Sequence, residues 1–376
     1  MKHLQAIVAS LSIISMILCL PWSADGCTSA IIGADRTMDG RILMWKHRDT
    51  GTEHNFVERI AATDSTLAFV ALFNGGDSLL LEAWTGMNEA GFAIMNTASY
   101  NLAPDTAVLK DREGIVMRRA LEKCRSISDF ENLLDSIAKP MGVQANFGVI
   151  DASGDGAYYE TDDYTYRKFS LADTPSHVLL RTNYSVCGND TDGFGYIRCA
   201  NAEKLLEPYI ATSTVTPEVF TENLSRSFWH SLLERDFASG SDRWVVDQDF
   251  IPRHSSAASI VIEGIHDGEK PELTVMWTAL GYPPCSHVIP VMMNEVTDAV
   301  RPVAPGWRSP LCDEAIGLKQ KAFPIKRGSG QHYIDMEALR GISDEQKKIS
   351  GASYRRGRQM RARNAERISS LSGNTK

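Results

Sequence analysis

Residues 27–32 have the sequence Cys-Thr-Ser-Ala-Ile-Ile, which predicts a β-strand that begins with a cysteine. Residues 1–26, which precede it, have the pattern of an export signal. Lys2 gives a charged start, Leu4–Leu20 is largely apolar, and Ala24 and Gly26 are small residues where a signal peptidase makes contact. We therefore predict cleavage after Gly26, so that an exported protein begins with the cysteine.

A cysteine at a free N-terminus carries both a nucleophile and a base. Its thiol can attack a carbonyl, and its α-amine, with an ordinary pKa of roughly 7.7–8.0, can accept a proton. These groups are the minimum needed to hydrolyse an amide. Two other roles for Cys27 are a lipid anchor and half of a disulfide. Ala24 stands where lipid attachment usually wants a leucine, and a strand follows instead of a flexible tether, so lipid anchoring is less favoured.

The composition limits the classes of function. Of the 376 residues, 43% are hydrophobic and 23% are charged, values typical of a globular protein. After the signal, no apolar run approaches the ~20 residues of a membrane helix, so no membrane span is predicted. The net charge of −8 argues against nucleic-acid binding. The nine histidines are scattered, so we expect no metal and no cofactor.

The element pattern predicts one α+β domain over residues 27–345 followed by a basic helical tail over 346–376. Hairpins are predicted from Thr28–Gly33 with Arg41–Lys46 and from Leu67–Phe73 with Leu79–Trp84. Helices are predicted at Glu113–Arg125 and from a capping box of Ser128 and Glu131. The tail has nine Lys or Arg residues and one acidic residue, Glu366. Either it packs on the acidic body, which we favour, or it binds a partner.

The segment Lys46–Asp49 ends the second predicted strand, and hairpin pairing returns it to the neighbourhood of Cys27. Asp49 is a candidate to hydrogen-bond the α-amine and keep it oriented. A cation from the same segment would favour the thiolate form of the cysteine. The sequence therefore predicts that nucleophile and orienting groups meet at this end of the first hairpin.

Five short motifs follow one another along the chain: Cys27-Thr28-Ser29, Lys46-x-x-Asp49, Gly86-x-Asn88-Glu89-x-Gly91-x-Ala93-x-x-Asn96, Asn146-Phe147-x-x-x-Asp151-x-x-Gly154 and Arg181-Thr182-Asn183. In this order they resemble the N-terminal-nucleophile (Ntn) hydrolases of the choloylglycine hydrolase and penicillin V acylase family. Ile251–Ser256 and Gly281–Cys285 look more like the related isopenicillin N acyltransferase branch. The resemblance extends from Cys27 to Pro290.

The resemblance implies a fold and a set of site residues. The fold is a four-layer αββα sandwich. The implied catalytic residues are Cys27 as nucleophile and base, Asp49 as the group that orients it, Asn96 as oxyanion donor and Asn183 beside the amine. The implied substrate-binding residues are Lys46, Arg48 and Arg253. The bile-salt and penicillin V enzymes have arginine where Lys46 stands, so either Lys46 or Arg48 takes that place.

The implied activity is hydrolysis of a linear amide C–N bond in an N-acylated small molecule of the conjugated bile acid, penicillin V or N-acyl amino acid type. A dipeptidase or acyltransferase that uses the same cysteine is the enzymatic alternative. A lipid-anchored binding protein is the non-enzymatic one. The sequence does not distinguish a monomer from a homo-oligomer.

Overall fold

The computed structural model describes residues 26–103, 108, 110–326 and 332–373. Apart from Gly26, the predicted export signal lies outside the described residues.

Strands and helices occur in blocks. The strands are β1 (Cys27–Ile32), β2 (Leu43–Asp49), β3 (Asn55–Ile60), β4 (Phe69–Asn74), β5 (Thr85–Asn88), β6 (Ala93–Ala98), β7 (Ala145–Ile150), β8 (Gly156–Thr161), β9 (Tyr166–Ser170), β10 (Val178–Arg181), β11 (Trp229–His230), β12 (Arg235–Asp236), β13 (Trp244–Val246), β14 (Ser256–Glu263), β15 (Val275–Leu280), β16 (Ile289–Val291), β17 (Ile325–Lys326) and β18 (His332–Asp335). The α-helices are α1 (Glu113–Lys123), α2 (Ile127–Ser136), α3 (Tyr196–Ala211), α4 (Pro310–Ala322) and α5 (Met336–Gly373).

Two antiparallel sheets form the body. The first has the strand order β10-β1-β2-β14-β15-β16, and the second has the order β3-β4-β5-β6-β7-β8-β9. Because side chains alternate between the faces of a strand, each sheet has an inner and an outer apolar face. The first hairpin is as predicted, since the whole of β1 pairs with β2, from Cys27 opposite Arg48 to Ile32 opposite Leu43.

Three apolar clusters define four layers. Between the sheets, Ile31 and Met44 of the first sheet pack against Val70 and Met95 of the second. The outer face of the second sheet packs against α1 and α2. The outer face of the first sheet packs against α3 and α5. The layers are therefore helices, sheet, sheet and helices, which confirms the predicted α+β, four-layer αββα sandwich.

Two local predictions were wrong. Residues 79–84 form no strand, because Leu80 has a φ of 55° that breaks the extended conformation, and β4 pairs instead with β5. The capping box of the second helix lies two residues earlier than predicted. Ser126 accepts from the backbone N–H of Asp129, whose side chain accepts from the backbone of Ser126. Serine occupies both position 126 and position 128, and the sequence pattern predicted Ser128 as the N-cap instead of Ser126.

The basic C-terminal segment belongs to one long helix. Helix α5 begins at Met336, so the predicted boundary between residues 345 and 346 falls inside it. Tyr354 and Met360 are buried in the outer cluster of the first sheet. At Gly357 the helix approaches Trp277 so closely that a Cβ would lie 2.5 Å from the indole ring. The helix is therefore packed against the body over the part that carries these residues.

Charge complementarity accompanies this packing. Arg361 forms an ion pair with Glu263 at 2.8 Å, and Arg358 forms one with Glu218. These contacts agree with the favoured interpretation, in which the basic helix packs on the acidic body.

All six cysteines in the described part of the chain are free thiols, so neither of the pairs suggested by spacing, Cys187 with Cys199 or Cys285 with Cys312, is bridged. No helix among the described residues has both the length and the apolar character needed to cross a membrane. Across the same ranges, no group of three or more His, Cys, Asp or Glu residues is arranged to hold a metal ion.

Candidate active site

Pairing of β1 with β2 places Cys27 directly opposite Arg48, and Ser29 opposite Lys46. Directly opposed residues share a face of the sheet. Ile31, on the same face of β1, belongs to the cluster between the sheets. The pairing returns Lys46 and Arg48 to the neighbourhood of Cys27, as predicted. All three side chains point inward and line one cavity of about 250 Å³.

Cys27 is held at its backbone and borders this cavity with its thiol. The backbone N–H donates to Oδ1 of Asn183 at 2.9 Å. The side-chain nitrogen of Asn183 donates to the carbonyl of Ala98 at 2.9 Å, which fixes the amide plane. The thiol lies 4.0 Å from the carbonyl oxygen of Asp49. Asn183 thus contacts the atom that would become the α-amine after cleavage at Gly26.

Asn96 also lines the cavity, and Lys46 decides which way its amide faces. The ammonium of Lys46 lies 2.6 Å from Oδ1 of Asn96 and 2.6 Å from the carbonyl oxygen of Trp84. Because an ammonium can only donate, the oxygen of Asn96 must face it, and the amide N–H₂ group points the other way. Asn96 thereby presents a hydrogen-bond donor to the cavity that contains the thiol.

Lys46 and Arg48, predicted as alternatives for one role, have different surroundings. Lys46 is 2% exposed and holds Asn96. The guanidinium of Arg48 donates to Oδ1 of Asn74 at 2.7 Å and stacks over the Trp84 ring, 5.0 Å from its centroid. Lys46 is therefore a positioning residue, whereas Arg48 is a wall of the cavity.

Asp49 and Arg253 form an ion pair close to Gly26 and Cys27. Arg253 donates to Oδ2 of Asp49 from Nε at 3.0 Å and from Nη2 at 2.6 Å. Ser256 donates to Oδ1 of Asp49 at 2.5 Å. Arg253 lines a neighbouring cavity with Asp247, rather than the cavity of the thiol. In the uncleaved chain, the single backbone N–H of Cys27 donates to Asn183. The predicted contact between Asp49 and the free α-amine therefore stays a prediction.

A row of hydrogen bonds ends at Asp49, and every donor in the row points toward this carboxylate. Ser256 donates its only O–H to Asp49, so its oxygen accepts from Nε2 of His47, 2.8 Å away. Burial lowers the pKa of His47 to about 4, so the ring is neutral at pH 7 and its Nδ1 accepts from Ser225 at 3.1 Å. His47 is therefore the Nε2–H tautomer, and its N–H points toward the carboxylate side.

The same logic extends the chain one step outward. Because Ser225 donates to His47, its oxygen accepts from Ser259 at 2.7 Å, and Ser259 accepts from the indole N–H of Trp45 at 3.0 Å. Within this buried row the serine hydroxyls and the His47 ring each both donate and accept, whereas the indole of Trp45 only donates and Asp49 only accepts. The row fixes Asp49, and through Asp49 it fixes Arg253.

Gly26 lies in a space that admits no side chain. A Cβ on this residue would lie 1.8 Å from Nη2 of Arg253 and 3.2 Å from Nη2 of Arg198. Arg253 cannot move aside freely, because two hydrogen bonds tie it to Asp49. The residue before Cys27 must therefore be glycine for the uncleaved chain to adopt this arrangement.

Arg198 is a site residue that sequence reasoning missed. From the first turn of α3 it donates to the carbonyl oxygen of Cys27 at 2.6 Å and to Oδ1 of Asn183 at 2.7 Å. Burial, together with the nearby Arg253, lowers the pKa of Arg198 to about 10, which leaves it protonated at pH 7. A signal was available: Arg198, Ala202 and Leu206 form one helical stripe, and the latter two lie in the core. An arginine on a core stripe is a candidate functional residue.

Comparison with known proteins gives one family match. Residues 78–192 match the family described as acyl-coenzyme A:6-aminopenicillanic acid acyl-transferase. The predicted resemblance is confirmed for this segment. It contains Asn96 and Asn183 but not Cys27. No curated protein matches the chain in sequence.

Three solved structures are among those similar to this chain. An N-acylethanolamine-hydrolyzing acid amidase ortholog from Caenorhabditis elegans is 13% identical, with 63% of this chain and 92% of that chain covered and a TM-score of 0.43. A mutant conjugated bile acid hydrolase from Clostridium perfringens is 11% identical, with coverages of 72% and 93% and a TM-score of 0.45. Penicillin V acylase from Agrobacterium tumefaciens is 13% identical, with coverages of 72% and 87% and a TM-score of 0.37.

Proposed function

We propose that the chain, once cleaved after Gly26, is an exported Ntn cysteine hydrolase of linear amide C–N bonds in small molecules. The observation that carries the proposal is the constellation at the start of β1. Asn183 accepts from the nitrogen of Cys27 at 2.9 Å, while the thiol borders a cavity into which Asn96 presents an amide donor. Nucleophile, base and oxyanion donor are thus within one small site.

The α-amine is well suited to act as the base. One of its hydrogens can donate to Asn183, which leaves its lone pair available to the thiol proton. The guanidinium groups of Arg198 and Arg253, both near Gly26, disfavour a further positive charge at this position. In this proposal they keep the amine neutral, and the Asp49–Arg253 pair has a supporting role behind it.

The reaction then proceeds in two halves. The sulfur of Cys27 attacks the carbonyl carbon, its proton passes to the α-amine, and Asn96 donates to the oxyanion. The C–N bond breaks as the α-ammonium returns a proton to the leaving amine, and a thioester remains. Water attacks the thioester with the α-amine again as base. The carboxylic acid leaves and the thiol is restored.

Acyl transfer is the second candidate, favoured by the family matched over residues 78–192. It shares the thioester and differs only in its acceptor, an amine instead of water. Adding a primary amine during turnover separates the two, because a transferase forms a new amide while a hydrolase forms only the acid.

The proposal is tested with purified chain that begins at Cys27 and a panel of small amides. We expect release of free amine and, in a quenched sample, a mass increase of one acyl group on Cys27. Cys27→Ala should keep the fold and lose both signals. Turnover by correctly processed Cys27→Ala would exclude the mechanism.

A further inference from the structure

The cavity beside Cys27 has charges of both signs in its wall. Lys46 and Arg48 contribute cations, and Asp49, Asp111 and Glu113 contribute anions, of which Asp49 is already paired with Arg253. Threonine hydroxyls and asparagine and glutamine amides fill much of the remaining wall, with Trp84 as its largest ring. Such a wall favours a polar ligand over an apolar one, because polar groups that a ligand covers are stabilised only where the ligand offers them hydrogen bonds. At about 250 Å³ the cavity is also small beside typical ligand sites of roughly 300–1,000 Å³.

Arg48 is positioned to bind a carboxylate near the scissile bond. It is directly opposite Cys27 in the β1–β2 register and is 3% exposed. Asn74 and the Trp84 ring hold its guanidinium in one orientation. A guanidinium held in place presents a fork of N–H donors that matches a carboxylate.

Asp111 and Glu113 provide the opposite charge from the segment that leads into α1. Asp111 has a φ of 55°, a left-handed conformation that is unusual for a residue other than glycine. Glu113 is 8% exposed, and its carboxylate accepts from the backbone N–H of Gln144 at 2.9 Å. Two carboxylates on one wall of a small cavity suit an ammonium group.

We propose that the substrate is a small zwitterionic amide of the short-peptide type, with its carboxylate on Arg48 and its ammonium on Asp111 and Glu113. This inference rests on the proposed function, since it places the scissile carbonyl between Cys27 and Asn96. It selects against steroid and long-chain acyl groups, which have neither charge and exceed the cavity.

Four substrates with the same kind of bond test the proposal on the processed enzyme: alanyl-alanine, its N-acetyl derivative, its C-terminal amide, and N-dodecanoyl-alanine. We expect the highest kcat/KM for alanyl-alanine. Loss of either charge should lower it about tenfold to hundredfold, the range for one hydrogen bond to a charged group. The dodecanoyl compound should be the poorest substrate.

Variants assign each charge to its partner. Arg48→Gln should reduce the discrimination between alanyl-alanine and its C-terminal amide. Asp111→Asn should reduce the discrimination between alanyl-alanine and its N-acetyl derivative. Asp64→Asn, which removes an exposed carboxylate that does not line the cavity, is the matched control and should change neither ratio.

The results distinguish failure of this inference from failure of the proposed function. Faster turnover of the dodecanoyl compound, or equal rates on all four substrates, would overturn the inference and leave the proposed function standing. No turnover and no acylation of Cys27 with any amide would overturn the proposed function, and the inference with it.

Discussion

The two faces of strand β2 have different chemistry. On the inner face, Lys46 and Arg48 border a cavity and contact groups that would meet a substrate. On the outer face, the side chains of His47 and Asp49 are buried in a row of hydrogen bonds, although Asp49 also borders the cavity beside Cys27. In the proposed mechanism, the inner face takes part in the reaction and the outer face holds those residues in place. Alternation along a single strand is enough to produce both, because successive side chains point to opposite sides.

The comparison makes a graded prediction. Changes at the inner face should affect rate most, and changes at the outer face should affect stability more than rate. The largest expected effect concerns Cys27 itself, since both of its functional groups are needed at once.

Retention of Gly26 should abolish activity, because the α-amine becomes a non-basic amide and Gly26 occupies the space between Arg253 and Arg198. The chain expressed without export and with Gly26 in place should be inactive. A form that begins Met-Cys27 should be active once the methionine is trimmed. Intact mass and turnover of both forms check this. Equal activity would mean that the α-amine is not the base.

Asn96→Ala should lower kcat by about 10²–10³, the usual effect of removing one oxyanion donor. Asn96→Asp is the matched control, because it keeps the shape and an oxygen for Lys46 but has no N–H to donate. Both variants should therefore lose kcat to a similar degree. Steady-state kinetics decide the matter, and a change confined to KM would make Asn96 a substrate-binding residue.

Lys46→Met should cost about tenfold in kcat, less than loss of Asn96 itself. Without the ammonium, the amide of Asn96 is free to turn its oxygen into the cavity, so only part of the population is competent. Arg48→Gln should instead change KM and substrate preference. A Lys46→Met effect that equals the Asn96→Ala effect would show that Lys46 acts on the substrate directly.

The inner face could be predicted in part from sequence. The hairpin around residues 37–40 fixed the pairing that brings Cys27 to Lys46–Asp49, and the ordered motifs pointed to Asn96 and Asn183. Because side chains alternate between the two faces of a strand, the sequence also implies that Lys46 and Asp49 lie on opposite faces of β2. The contacts of each charge could not be predicted, because Lys46 reaches a residue 50 positions away in the other sheet.

The outer face was less accessible to sequence reasoning for a physical reason. Serine occurs throughout the chain, and only the fold shows that Ser225, Ser256 and Ser259 meet around one histidine. Arg198 is 171 residues from Cys27, on a helix whose docking depends on the whole outer cluster. Contacts between residues so far apart leave no local pattern in the sequence, except that a charged residue occurs on an otherwise apolar stripe of a helix.

The smallest effect on rate is expected at His47, together with a measurable effect on stability. Its pKa falls from 6.5 to about 4 on folding, because burial disfavours the charged ring. The unfolded chain therefore binds the proton more readily, and stability should fall as pH drops from about 6.5 toward 4. Over the full pH range, this pKa shift corresponds to a loss of about 3 kcal/mol in the free energy of unfolding. His47→Gln has no titrating ring and should lack this contribution, while kcat at pH 7.5 changes only a few-fold.

Urea unfolding of both proteins at pH 7.5 and pH 5 isolates the effect, because the other titrating groups are common to the two and cancel in the difference. We expect wild type to lose more stability than His47→Gln between these pH values. Equal losses would mean that the ring is not held neutral. A fall in kcat as large as that of Asn96→Ala, with stability unchanged, would erase the distinction between the two faces, since His47 would then act on the reaction and not on the position of Asp49.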